Sequence, residues 1–171
     1  MILLILLTVS LLTSGCYSVL QTAEITPPKK FKHTITGSIP IDEMVSVGLG
    51  YKLRYGVVEN FELDTAVEIL WPRFMLGCQY GITKNIAINT NMNISTLEDS
   101  EDLIYFGDVS LILGTDWYGG IKVINSFYYL DPTEFNAFLG KKIPVGMKYS
   151  LLTEAGFGTR SSFVLRFGIG F

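Results

Sequence analysis

The chain has 171 residues, enough for one domain, and only 17% of them are charged, against roughly 25% in ordinary soluble domains. A net charge of −3 leaves no basic excess for nucleic acid. Aromatics at 13% and 17 glycines disfavour a helical bundle, because both are poor helix formers, and suit a twisted sheet that meets lipid.

The chain opens "MILLILLTVSLLTSGC". Ile2 to Leu12 is almost wholly apolar but too short to span a bilayer, which takes about 20 residues. Small residues Ser14 and Gly15 then precede Cys16, as at the cleavage site of a secretory signal. The stretch "LTSGC" resembles the lipobox of bacterial lipoproteins, although the usual Lys or Arg near Met1 is absent. The resemblance implies that residues 1–15 are removed and that Cys16 carries the lipid. Two or three acyl chains would anchor it durably. Residues 16–30 then read as a lipidated tether, with Pro27 and Pro28 breaking regular structure before the folded part at 31–171.

From Phe31 onward the chain alternates with period two, the mark of strands whose side chains point to opposite faces. The expected strands run Phe31–Pro40, Met44–Tyr55, Phe61–Ile69, Arg73–Tyr80, Ile86–Ser95, Leu103–Leu113, Trp117–Tyr129, Glu134–Lys142, Gly146–Ala155 and Phe163–Phe171. In Met44–Tyr55, Val45, Val47, Leu49, Tyr51 and Leu53 oppose Ser46, Gly48, Gly50, Lys52 and Arg54. In the last strand Phe163, Leu165, Phe167, Ile169 and Phe171 oppose Val164, Arg166, Gly168 and Gly170. The count is about ten, with eight as the alternative. Two of the connections repeat: "LRYGVVENFELD" at 53–64 returns 25 positions later as "CQYGITKNIAIN" at 78–89. Such a repeat is one hairpin, about two strands of ten with their connections.

An alternating sheet can put its apolar face inward, as in a soluble lipocalin-like barrel, or outward against lipid. Three features favour the second. The polar face is rich in Gly, Ser and Asn rather than in Lys and Glu. Its charges balance: Lys52, Arg54, Lys122, Lys148 and Arg166 against Glu62, Asp64, Glu68, Asp108 and Glu154. With the turn placed between Tyr55 and Phe61, Arg54 opposes Glu62 and Lys52 opposes Asp64, the pairing that makes buried charge tolerable. Finally, the turns after Tyr55-Gly56 and Tyr80-Gly81, with those at Gly114–Trp117 and Lys142–Gly146, share one end of the barrel. Their tyrosines and Trp117 suit an aromatic girdle, and counting from a periplasmic N-terminus makes that end periplasmic.

The final strand, alternating and ending in Phe171, resembles the assembly signal of bacterial outer-membrane barrels. That resemblance implies insertion by a barrel-assembly machinery and contact with outer-membrane lipids. Little points to chemistry. His33, the lone histidine, falls at the periplasmic end, the wrong end for the rim sites of outer-membrane enzymes, and reads as wall filling. Glu62, Asp64 and Glu68 read as members of a salt-bridge network, and Glu98, Asp99, Glu101 and Asp102 as a solvated outer loop rather than a cation site. Cys78 reads as an apolar filler on the lipid face. No metal or cofactor spacing is apparent. The expectation is an all-β, up-and-down transmembrane barrel, a lipoprotein of the outer membrane with a narrow, porin-like lumen and a structural or small-solute transport role. An enzyme acting on lipid or peptide, and a soluble lipocalin-like carrier, are the rivals.

Overall fold

The computed structural model describes residues 20–40, 48–69, 72–96, 103–126, 133–158 and 163–171. Ten antiparallel strands follow one another in chain order: β1 (Phe31–Pro40), β2 (Gly48–Val58), β3 (Phe61–Glu68), β4 (Arg73–Thr83), β5 (Ile86–Thr96), β6 (Leu103–Leu113), β7 (Trp117–Ser126), β8 (Glu134–Val145), β9 (Tyr149–Gly158) and β10 (Val164–Gly170). Each pairs with its sequence neighbours, and β1 closes on β10 from Thr34↔Gly170 to Pro40↔Val164. The result is a closed up-and-down barrel, which leaves no row of unpaired backbone groups at a sheet edge. The count of ten stands over the alternative of eight.

The faces are inverted relative to a soluble barrel. Leu49, Val67 and Phe167 are 45%, 47% and 41% exposed on the outside, whereas Lys52 is 3% and Glu62 0% exposed within. Exposed Ile, Leu, Val, Phe and Tyr recur on every strand, far beyond the patch a water-soluble surface tolerates. This is the side-chain arrangement of a transmembrane β-barrel. It excludes the lipocalin-like arrangement, in which these same residues would form a dry centre.

The repeated Tyr-Gly segment has a structural counterpart. Both hairpins carry a register irregularity after the glycine, between Gly56 and Val58 and between Gly81 and Thr83. The strands therefore run on past the glycine to tight turns at Glu59–Asn60 and Lys84–Asn85, later than the alternation predicts. The later turn, less the one extra residue, displaces β2 against β3 by two positions from the expected register. Arg54 faces Asp64, Lys52 faces Ala66, and Gly56 faces Glu62, a correction to the expected register. Along this rim each hairpin is tied to the next: Gly56 N–H donates to Lys30 O, Gly81 to Asn60, Gly114 to Asn85 and Lys142 to Asp116, at 2.7–3.1 Å.

Three further expectations change or fall outside view. β9 begins at Tyr149, so Lys148 stands exposed in the Gly146–Lys148 turn and is not a lumen residue; Gly146 at φ +67° permits that turn. Part of the expected tether at 16–30 is packed rather than free: Leu20, Gln21, Thr22, Ala23 and Thr26 are buried inside the barrel mouth, and residues 27–30 are exposed. Cys16, the signal segment 1–15, residues 44–47 and 127–129, and the acidic run from Glu98 to Asp102 lie outside the described residues.

Candidate functional site

The site is the lumen, and it is built in two layers. Through the middle of the barrel, and up to the short-turn end at Arg54, Glu62 and Asn89, the wall residues of β2–β7 form a polar network. Lys52 Nζ lies 3.0 Å from Asp64 and Arg54 3.2 Å from Glu62. These are the two pairs expected from the sequence, reached diagonally across the strands rather than straight across, because long side chains lean along a twisted sheet. Asn89 Nδ2 donates to Asp64 (3.3 Å); Asn91 Nδ2 donates to Asn89 Oδ1 (2.6 Å) and to Asp108 (2.7 Å). Asn93 Nδ2 donates to Asp108 at 2.9 Å, and Lys122 Nζ lies 3.3 Å from the same carboxylate. On the far wall Arg166 holds Glu154 at 2.8 Å. Buried charge survives here because each carboxylate has a cation and further donors.

Glu68 pairs with Arg73, which the sequence reading did not place in the lumen, although the parity of β4 puts Arg73 on the face of Met75 and Gln79. A cavity of ≈ 20 Å³ remains between Lys52, Glu68, Arg73, Met75, Asn93 and Lys122. It has room for about one water molecule.

The short-turn half is filled differently. Residues 20–26 lie across the mouth. Gln21 Nε2 donates to Glu62 (3.2 Å) and to Gln79, and Lys52 donates to Gln21 Oε1. Leu20 and Ala23 join Ala87, Ile112, Tyr118, Phe138 and Leu152 in an apolar cluster. Tyr118 donates its hydroxyl to Thr153 O at 3.3 Å. At the rim Glu24 sits between Lys142 and Lys32, the latter 3.4 Å away. Burial opposes the charge on Glu24, but Lys32 and Lys142 outweigh it and hold the carboxyl below its ordinary value.

Of the ten lumen charges expected from the sequence, nine line the interior, and Lys148 does not. The buried Gln21 and Gln79 and the Glu24–Lys32–Lys142 cluster were not foreseen. Parity marks Gln79, Lys32 and Lys142 as inward, but nothing periodic marks residues 20–26. His33 lies outside on β1, stacked 5.3 Å from Phe171 and bonded through Nδ1 to the Tyr51 hydroxyl. With Tyr149 near Phe171, it belongs to an aromatic belt at the short-turn rim. Cys78 is a free thiol on the outer face of β4. Among the described residues no group of three His, Cys, Asp or Glu side chains is arranged to hold a metal.

No protein-family model matches this chain, and no curated protein does. Among solved structures it is similar to one described as "De novo design of transmembrane beta-barrels", at 16% identity and a TM-score of 0.40, over 86% of this chain and 98% of that one.

Proposed function

We propose that this chain is a lipid-anchored barrel of the bacterial outer membrane with a closed lumen and a structural role. The observation that carries the reading is the filling of the interior: ion pairs and asparagines fill the middle, and residues 20–26 with their apolar cluster fill the short-turn end. A narrow barrel has little free interior to begin with. The apolar exterior supports membrane residence, and "LTSGC" at 12–16 supports acylation of Cys16. The alternating last strand is what a barrel-assembly machinery would read, and outer-membrane lipids are the immediate partners.

Current through planar bilayers tests the closed-lumen reading. Purified protein is expected to raise bilayer conductance no more than protein-free controls. Stepwise single-channel currents would replace it with small-solute transport. Mass spectrometry of the membrane-extracted chain tests the anchor: a diacylglyceryl group on Cys16 is expected, and its loss in Cys16→Ser with an unprocessed signal segment. A cleaved chain with an unmodified cysteine would remove the lipoprotein assignment and leave the barrel intact.

A further inference from the structure

We propose that the short-turn half of the lumen is a peptide-binding pocket and that residues 20–26 are its ligand, held in cis and separable from the barrel. The pocket recognises backbone as well as side chains. Glu154 Oε2 accepts from Leu20 N–H at 3.1 Å, Gly114 O from Ala23 N–H at 2.9 Å, and Glu62 Oε2 from Thr26 N–H at 2.7 Å. Gln79 Nε2 donates to Thr22 O at 3.0 Å. Both carboxylates are fixed beforehand: Arg54 holds Glu62 and Arg166 holds Glu154 through the other oxygen. Each therefore presents one oxygen toward the mouth whether or not the segment is there, which is preorganisation for an N–H donor.

The wall is also shaped for the segment. A Cβ at Gly56 would sit 2.2 Å from the carbonyl oxygens of Thr26 and Pro27. One at Gly81 would sit 2.8 Å from Ile25 Cγ1, and one at Gly168 3.3 Å from Leu20 Cδ1. Glycines stand where residues 20–27 press on the wall, and the apolar cluster receives Leu20 and Ala23. None of the segment's hydrogen bonds belongs to the strand ladder, which closes without it. The ligand class is a bent, non-strand peptide with N–H donors three residues apart, an apolar residue at the first and a small one at the second. The occupant is this chain's own Leu20–Thr26. The inference holds whether or not Cys16 is acylated.

Native-state hydrogen exchange on the unmodified protein in bilayers is the first test. The amides of Leu20, Ala23 and Thr26 are expected to exchange by an opening that leaves the strands protected. Exchange of those amides only together with the strand amides would overturn the proposal. The second test uses the full chain with Ala23→Glu, which puts a charge into the apolar cluster and expels the segment. The variant is expected to keep heat-modifiable gel mobility and to bind a labelled peptide of residues 17–30. Wild type is expected to bind that peptide about tenfold more weakly or worse, because its pocket is filled. Adding Glu62→Ala to Ala23→Glu should weaken the peptide by about tenfold, the loss of a hydrogen bond to a charged group. Three results would sink the proposal: an Ala23→Glu chain that no longer forms a barrel, a folded one that ignores the peptide, or binding indifferent to Glu62→Ala.

Discussion

The two halves of the lumen solve one packing problem by different means. Through the middle of the barrel the wall fills itself: Lys52, Asp64, Asn89, Asn91, Asn93, Asp108 and Lys122 reach across the interior and bind one another. At the short-turn end an apolar cluster, glycines and the polar groups of Glu62 and Gln79 leave room that a segment from outside the sheet fills. A buried, interlinked polar network tolerates little change, because removing one member takes bonds from several others. The apolar end loses only packing when trimmed, so its failures should be milder and more local.

Five substitutions or conditions probe that contrast, all read as urea unfolding midpoints of barrels folded in lipid vesicles. The largest effect is expected for Asp108→Ala, about 3–5 kcal/mol, since it removes the buried carboxylate that Lys122, Asn91 and Asn93 share. The double change Asp108→Leu with Lys122→Met should recover most of that loss, as apolar pairs of similar volume often do. Recovery no better than the single variant would mean that the asparagines, not the ion pair, hold this layer. On the apolar side, Ile112→Ala should cost about 2–4 kcal/mol through an unfilled cavity beside residues 20–26. A loss larger than that of Asp108→Ala would reverse the proposed contrast. Tyr118→Phe removes one hydroxyl bond, to Thr153 O, and should cost about 1 kcal/mol.

The smallest effect is a pH dependence at the rim. The Glu24 carboxyl is held below its ordinary value near 4.5, so its contribution is full above that value and is lost as pH falls through the lower folded value. Wild type minus Glu24→Gln should therefore show a stability difference at neutral pH that vanishes in acid. Because Glu24 is part-exposed, the difference should also shrink with added salt. A difference that grows toward acid would contradict the arrangement with Lys32 and Lys142.

Much of this was legible in the chain. Even the looser alternation of Leu103–Leu113 gave strand and face, and β6 spans those residues. The Lys52–Asp64 and Arg54–Glu62 pairs were legible although the register was misplaced by two, because the diagonal lean of the side chains makes up that difference. Lys148 was misread for the opposite reason: its parity matched Ser150, but the turn holds it outside the strand where parity has meaning.

Composition and period-two alternation by themselves determined an all-β chain with one greasy and one polar face, since a strand has only two sides to divide its residues between. Closure at ten strands, the two-residue shift at Gly56 and the choice of Arg73 for Glu68 needed the sheet to be assembled, because register is a property of pairs of strands. The descent of residues 20–26 into the mouth was decided at the last level. That segment carries no period of its own, and its fit is written in the glycines and carboxylates of strands far along the chain.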